Sequence, residues 1–282
     1  MTALRCTVLL CLALIPLITP AAERLLLPRS DGIKTPVMHY APVGVCLGTV
    51  ILSHGAGGSE NGLSYLGEFL QSKGWRAVVL GHAESGRAAL RAKIPGMDIK
   101  AGLAALIIDP AAYRGRFADI EAALVWQKGR CKNPFTALVG HSMGAATVML
   151  AAGAENKLGL RTRIGFDAYV AMSPQGIGRI FPENAWRGIT APVYALTGTE
   201  DKELNADWRS RLEAYKNMAP GCKWQGVITG ANGAKITYWD LLVGQSLQRE
   251  ADGKAKPKPI GEHRVIGRSV PRPDLDDKIA GR

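Results

Sequence analysis

One run near the middle of the chain joins a short apolar segment, a serine between glycines and a segment of small residues. Residues 136–139 read TALV, residues 140–144 read GHSMG, and residues 143–154 are mostly small and apolar. Glycines on both sides of a serine permit the sharp strand-to-helix turn that exposes the hydroxyl to a reacting carbonyl. The run therefore predicts that Ser142 is a nucleophile at the carboxyl end of a buried strand.

The chain from residue 37 to residue 248 alternates short apolar runs with amphipathic ones. This alternation predicts an α/β fold, in which helices cover both faces of a mostly parallel central sheet. We predict helices at residues 63–72, 117–127 and 143–154, and strands at residues 48–52, 76–80, 136–139, 168–172, 193–197 and 225–229. A further strand at residues 37–40 is expected to pair antiparallel at the edge of the sheet.

Residues 83–113 do not follow this alternation. They mix Gly, Ala and Arg with an apolar patch at residues 103–108. Two interpretations stay open from the sequence, namely an insertion that faces the substrate or a surface helix with connecting loops.

The two ends of the chain differ in composition from the middle. Residues 1–21 combine Arg5, an apolar stretch and small residues before a cleavage position near Ala22, which predicts an export signal peptide. Residues 22–248 then form one domain, and residues 249–282 are basic and proline-rich, a composition that predicts a flexible tail. We expect a secreted or periplasmic protein with no transmembrane segment after signal cleavage.

The charge of the chain sets few limits on its partners. The formal net charge is +11, but the 35 Lys and Arg residues are spread along the chain without a nucleic-acid-binding motif. This distribution predicts a basic solvated surface and no nucleic-acid partner. An alternative is that the basic tail binds anionic polymers or surfaces.

Three cysteines remain after signal cleavage, Cys46, Cys131 and Cys222. Their spacing does not match a metal site, and an exported chain meets an environment in which disulfides persist. One disulfide with one buried thiol, or three buried thiols, are both compatible with the sequence.

A glycine-rich turn follows the predicted strand at residues 48–52. Residues 54–58 read HGAGG. Acyl transfer needs N–H donors aimed at the position where the oxyanion develops. We predict that the backbone N–H groups of Ala56 and of Met143, directly after Ser142, form this oxyanion hole.

A carboxylate follows the predicted strand at residues 193–197. The sequence there continues as GTED through residue 201. An acid just beyond a late strand is in position to orient a catalytic histidine. We predict Asp201 for this role, with Glu200 as the alternative.

These segments together resemble a known family. Residues 51–82, the GHSMG run, residues 172–174 and residues 185–201 resemble the predicted dienelactone hydrolase and platelet-activating-factor acetylhydrolase-like group of α/β-hydrolases. The likeness covers most of the chain from about residue 49 to residue 242. It implies the α/β-hydrolase fold, with Ser142 and Asp201 as members of a catalytic triad.

The third triad member is where this sequence departs from the group. Its proteins carry a Gly-Ala-x-His-type loop after the last strand, whereas residues 230–234 here read GANGA. The loop that would hold the catalytic histidine is therefore shortened or lost in this chain.

The five histidines of the chain are His39, His54, His82, His141 and His263. His39 lies on an early strand, and the two within the glycine-rich motifs are expected to support their loops. His82 is expected either to line the cleft or to be a hydrogen-bonded loop histidine. His263 alone follows Asp201 and keeps the chain order serine, acid, histidine, so it is our predicted base, provided that residues 261–263 fold back over the cleft.

The sequence thus predicts a secreted serine hydrolase that cleaves a carboxylic ester through an acyl-enzyme on Ser142. The substrate is expected to be a small-molecule or lipid ester, with no cofactor and no metal ion. The missing histidine leaves an alternative, a catalytically impaired homologue that retains a binding pocket.

Overall fold

The computed structural model describes residues 20–94, 98–203 and 206–232. Residues 1–19 of the predicted signal peptide, the predicted tail at residues 249–282 and the predicted base His263 lie outside the described residues.

Within the described residues, eight strands form one sheet. They are Glu23–Pro28 (β1), Lys34–Tyr40 (β2), Thr49–Ser53 (β3), Arg76–Leu80 (β4), Thr136–His141 (β5), Ala168–Met172 (β6), Val193–Gly198 (β7) and Lys223–Ile228 (β8). The strand order is β1-β2-β4-β3-β5-β6-β7-β8, and every neighbouring pair from β4 to β8 is parallel. The predicted mostly parallel sheet is confirmed.

The edge of the sheet differs from the prediction. β2 pairs antiparallel with β4, as expected, but β1 pairs antiparallel along its other side. The prediction that residues 37–40 lie at the edge is therefore wrong. β1 was not predicted because Leu27 is the one buried residue of that strand, which leaves no clear alternation in its sequence.

Six α-helices connect these strands in the described part of the chain. They are Ser64–Ser72 (α1), Arg87–Ala92 (α2), Ile99–Leu106 (α3), Pro110–Gln127 (α4), Met143–Ala151 (α5) and Glu213–Lys216 (α6). α4 begins at Pro110 and not at residue 117, because the Asp109 side chain accepts a hydrogen bond from the Ala111 N–H and proline suits the first helical turn.

The apolar core lies on both faces of the sheet. Along β3, Ile51 packs into the cluster that contains α4 and α5, whereas Val50 and Leu52 pack on the opposite face with α1. Because neighbouring residues of a strand point to opposite faces, this arrangement confirms helices on both sides. The carboxyl ends of the parallel strands share one edge, so the loops after β3, β5 and β7 meet there.

One disulfide joins Cys46, before β3, to Cys131, after α4. The sequence left this pairing open. Cys222 is a free thiol, and the expectation that the third cysteine is buried is wrong, since Cys222 lies exposed in the turn before β8. None of the helices in residues 20–94, 98–203 and 206–232 is long and apolar enough to span a membrane.

Candidate active site

Ser142 lies at the sharp turn between β5 and α5. Its φ of 54° and ψ of −116° are strained for a residue with a side chain. Close backbone packing explains the two flanking glycines, because a Cβ at Gly140 would lie 2.2 Å from the Gly144 carbonyl oxygen and one at Gly144 would lie 2.0 Å from the Ser53 carbonyl oxygen. The turn predicted from the GHSMG run is thus formed.

Ser142 opens onto a cavity of about 930 Å³. Part of its wall is apolar, comprising Leu63, Leu103, Ile107, Ile108, Ile177 and Ile180. Another part is charged, comprising Glu200, Asp201, Lys202, Glu203 and Arg211. The described residues of the segment 83–113 include α2, α3 and the start of α4, and this segment also faces the cavity through Leu103, Ile107 and Ile108.

The glycine-rich turn after β3 lies beside the nucleophile. A Cβ at Gly55 would be 3.3 Å from Ser142 Cβ, and Ala56 lines the same cavity. Met143 is the first residue of α5, where an N–H has no acceptor within the helix and the helix dipole is positive. The structure therefore brings both predicted oxyanion donors to the Ser142 end of the cavity.

Asp201 lies in the turn after β7 and is 5% exposed. Its Oδ2 accepts a hydrogen bond of 3.1 Å from Thr197 Oγ1, and its Oδ1 lies 3.2 Å from Arg211 Nη2. Glu200, the alternative acid, is exposed on the cavity rim. Of the two carboxylates, Asp201 is the one held in a fixed position by buried partners.

Arg211 holds this side of the cavity together. Its Nε donates to the Asp201 carbonyl oxygen at 2.7 Å, and its Nη1 donates to the Ser173 carbonyl oxygen at 2.9 Å. Ser173 has a φ of 56°, so the guanidinium fixes a strained turn after β6 as well as the acidic turn. The sequence reasoning missed Arg211, because it lies in a polar stretch without a motif.

The structure also describes the surroundings of His39, His54 and His141. His54 Nδ1 donates to the Gly55 carbonyl oxygen at 2.6 Å, and its Nε2 accepts from the His82 N–H at 3.2 Å. His39 Nε2 lies 2.7 Å from Arg76 Nη1, far along the sheet on β2. His141 lines the cavity; burial lowers its pKa, and the nearby Asp201 carboxylate opposes that shift.

His82 forms a buried relay that resembles a triad in its contacts. Its Nε2 lies 2.9 Å from Ser53 Oγ, and its Nδ1 lies 2.7 Å from Asp119 Oδ2. Ser53 is 0% exposed and Asp119 is 1% exposed, so no substrate reaches this serine. Burial holds the pKa of His82 well below its ordinary value. Of the two expectations for His82, the hydrogen-bonded residue is correct and the cleft-lining one is wrong.

The segment directly after β8 packs on the acidic turn. The Ala231 carbonyl oxygen accepts a hydrogen bond of 2.9 Å from the Glu200 N–H, and a Cβ at Gly198 would lie 2.2 Å from that oxygen. Asn232 lines the cavity next to this contact. No group of three His, Cys, Asp or Glu side chains in the described ranges is arranged to hold a metal ion.

The structure was compared with known proteins. No family model and no curated protein matches the sequence. Solved structures do match. A cold-adapted esterase from an Arctic intertidal metagenomic library aligns with a TM-score of 0.54 at 19% identity, covering 79% of this chain and 90% of that one. The chain has the α/β-hydrolase fold.

Two further solved structures show the same likeness. A Klebsiella pneumoniae protein named as a dienelactone hydrolase aligns with a TM-score of 0.57 at 19% identity, covering 75% of this chain and 86% of that one. The acetyl xylan esterase of Paenibacillus sp. R4 aligns with a TM-score of 0.55 at 17% identity, covering 81% of this chain and 83% of that one. Within this fold, Ser142 lies at the turn between β5 and α5.

Proposed function

We propose that this α/β-hydrolase is a serine esterase that cleaves a carboxylic ester through an acyl-enzyme on Ser142. The observation that carries the proposal is the strained Ser142 turn, which opens onto a large cavity beside the Gly55–Ala56 peptide. Solved structures of esterases with the same fold support the reaction class.

In the proposed reaction, Ser142 Oγ attacks the ester carbonyl carbon while a histidine takes the hydroxyl proton. The carbonyl oxygen gains the negative charge, which the N–H groups of Ala56 and Met143 stabilise. Collapse of the tetrahedral intermediate breaks the bond to the alcohol oxygen, which leaves with the proton. A water molecule then repeats the sequence on the acyl-enzyme and releases the carboxylic acid.

The base and its orienting acid remain proposals from the sequence. We propose His263 as the base, from its place after Asp201 in the chain. Asp201 is supported by its burial and by the two side chains that fix its carboxylate. We expect Asp201→Asn to lower kcat by about 10⁴-fold, as loss of the orienting acid does in serine hydrolases, whereas Glu200→Gln at the exposed neighbour should leave kcat unchanged.

The cavity wall favours an ester with an apolar acyl or alcohol part. Leu103, Ile107 and Ile108 form a continuous apolar stretch on the cavity side of α3 and the residues after it. Burial of a methylene group is worth about 0.8 kcal/mol, so an apolar wall selects for alkyl length. We therefore propose a small-molecule or lipid ester as the substrate.

The test is hydrolysis of p-nitrophenyl butyrate by the purified protein, measured beside Ser142→Ala. We expect turnover by the wild type and a loss of about 10⁶-fold in the variant. Equal turnover by the two proteins would refute the proposal. His263→Ala then tests the base, because it should lose nearly as much activity as Ser142→Ala.

A second candidate is a catalytically impaired homologue that binds its ligand without turnover. It is favoured by the contact between Ala231 and the acidic turn, where the resemblance would place a histidine-bearing loop. This candidate predicts binding of a non-hydrolysable alkyl ketone in the cavity together with no hydrolysis. Robust wild-type turnover that His263→Ala abolishes would exclude it.

We also propose that the chain is exported to the periplasm or medium. The Cys46–Cys131 disulfide supports this, because disulfides persist mainly in oxidising compartments. Mass spectrometry of the protein from secreting cells should find a mature N-terminus near Ala22. A cytoplasmic protein that starts at Met1 would contradict export.

A further inference from the structure

Arg116 of α4 is 0% exposed, and its guanidinium lies directly behind the glycine-rich turn. Its Nη1 donates to the His54 carbonyl oxygen at 2.7 Å and to Ser53 Oγ at 3.0 Å. Its Nη2 donates to the Gly55 carbonyl oxygen at 3.4 Å, and its Nε donates to Ser85 Oγ at 2.8 Å. One side chain therefore contacts β3, the glycine-rich turn and the segment after β4.

The acceptors of Arg116 are neutral oxygens. Buried arginines usually pair with a carboxylate, and burial of an unpaired charge is costly. Arg29, the other buried arginine of this region, follows that rule through Glu84 and Asp119. Burial lowers the pKa of Arg116 to about 10, so it keeps its charge at neutral pH. Among the described residues, Glu84 and Asp119 are near enough to oppose this shift but bind Arg29 directly, so the fold keeps a cation behind the glycine-rich turn whose own hydrogen bonds all go to neutral oxygens.

Because Arg116 binds the carbonyl oxygens of His54 and Gly55, it also fixes the direction of the N–H groups of Gly55 and Ala56. All described peptide bonds here are trans, and a trans peptide directs its C=O and its N–H to opposite sides. The Gly55 carbonyl belongs to the same peptide unit as the Ala56 N–H. With that oxygen held by His54 Nδ1 and Arg116 Nη2, the Ala56 N–H points away from the buried guanidinium.

Hydrogen bonds to a carbonyl also polarise the N–H of the same peptide unit. A positive charge on the oxygen side therefore makes the Ala56 N–H a stronger donor. This polarisation of the Ala56 N–H is strong because the Arg116 guanidinium is shielded from water. An oxyanion that forms beside Ser142 would benefit from both the direction and the polarisation.

We propose that Arg116 is a positioning residue for the oxyanion hole, acting through the carbonyl oxygens of His54 and Gly55. The inference rests on the proposed esterase function for its effect on rate. The effect on the turn itself does not require that the chain is an enzyme. The two parts are therefore tested by separate measurements.

The first measurement is hydrogen–deuterium exchange of the amides in residues 55–58, in folded wild type, Arg116→Lys and Arg116→Met. Lysine keeps the charge but cannot reach four acceptors at once, and methionine removes every donor. We expect exchange in this turn to rise by about 10- to 100-fold in Arg116→Met, with a smaller rise in Arg116→Lys. Amides of β6 should be unchanged.

The matched control is Arg29→Lys. Arg29 is also buried, but its hydrogen bonds run to Asp31, Glu84 and Asp119 and not to residues 54–58. Arg29→Lys should destabilise the protein without faster exchange of the amides in residues 55–58. If Arg116→Met does not fold, Ser85→Ala, which removes the acceptor of Nε, replaces it and should also speed exchange in the turn.

The second measurement is kinetic and uses p-nitrophenyl butyrate and phenylboronic acid, a mimic of the tetrahedral intermediate. We expect kcat, calculated per molecule whose Ser142 reacts with a covalent serine probe, to fall by about 100-fold in Arg116→Met. Loss of one oxyanion donor lowers kcat by about that factor. KM should stay unchanged, and boronic acid affinity should fall by the same factor as kcat. A residue that only stabilises the fold would lower the unfolding midpoint and leave both values intact.

The outcomes separate the two proposals. Faster exchange in the turn with an inactive wild type would support the role of Arg116 in ordering the turn and refute the esterase. An active wild type whose Arg116 variants show unchanged exchange, kcat and boronic acid affinity would overturn the role of Arg116.

Discussion

Ser53 Oγ lies 2.9 Å from His82 Nε2, and the contact faces the protein interior and not the cavity. With Asp119 it forms the contacts of a serine–histidine–aspartate triad in a place that no ester reaches. Arg116 also donates to Ser53 Oγ, so this hydroxyl already binds a cation. The relay is therefore structural, and of Ser53 and Ser142 it is Ser142 that lines the cavity.

Ser53→Ala tests this assignment. We expect the free energy of unfolding to fall by about 1–3 kcal/mol, because Arg116 and His82 each lose a buried partner. Hydrolysis per folded molecule should stay near the wild-type level. Urea denaturation and an ester assay measure the two effects, and a loss of activity as deep as that of Ser142→Ala would contradict the assignment.

The stability of the fold should fall as the pH is lowered from 7.5 to 5.5. Burial lowers the pKa values of His54 and His82 well below 6.5, so below that pH the unfolded state binds protons that the folded state does not. Each of these two histidines then lowers the free energy of unfolding by about 1.4 kcal/mol for each unit by which the pH falls. Asp119 acts in the opposite sense below about pH 6, because burial raises its pKa to about 6.

Urea denaturation at several pH values measures this slope. His82→Gln should reduce the slope of the free energy of unfolding against pH by about 1.4 kcal/mol per pH unit. This reduction applies between pH 6.5 and about pH 6, where Asp119 begins to compensate. The control is Ser53→Ala, which changes stability without removing a titrating group. An identical slope in wild type and His82→Gln would show that His82 is not held neutral.

Alkyl-chain preference should follow the apolar wall of the cavity. Butyrate adds two methylene groups to acetate, and we expect kcat/KM to rise by about 10-fold between the two p-nitrophenyl esters. Leu103→Ser should reduce this ratio, because Leu103 lines the cavity. Ile99→Ser on the same helix is the control, since Ile99 is 60% exposed and lies outside the cavity wall. Equal ratios in wild type and Leu103→Ser would exclude this wall as the acyl site.

The Cys46–Cys131 disulfide should contribute a large part of the stability of the fold. It closes a loop with a sequence separation of 85, and loss of such a link typically costs about 2–5 kcal/mol. Denaturation of the Cys46→Ser, Cys131→Ser double variant measures this cost. Cys222→Ser is the control and should leave stability unchanged, because Cys222 is exposed and unlinked.

Much of the fold follows from the sequence for physical reasons. The central parallel strands β3, β4 and β5 are buried on both faces and contain continuous apolar runs, such as VIL in β3, so their positions were predicted well. β1 buries one residue and escaped prediction. The turn at Ser142 was predictable because a Cβ at Gly140 or Gly144 would lie 2.2 or 2.0 Å from a backbone oxygen, and this requirement for glycine leaves a fixed spacing in the sequence.

The buried polar side chains behind the site, Arg116 and Asp119, were not predictable in the same way. Arg116 and Asp119 lie on the buried face of α4 among Tyr113, Phe117 and Ile120, so the helix shows polar residues within an apolar stripe. That irregularity was the signal for a buried polar network. Its partners come from β3 and from the segment after β4, and such contacts between distant segments leave no local pattern.

The central claim is that Ser142 is the activated nucleophile, and covalent labelling tests it most directly. A fluorophosphonate probe is incubated with wild type, Ser142→Ala and Ser53→Ala, and the modified residue is located by peptide mass spectrometry. We predict one adduct, on Ser142, in wild type and in Ser53→Ala and none in Ser142→Ala. A wild-type protein that stays unlabelled, or that is labelled on another serine, would contradict it.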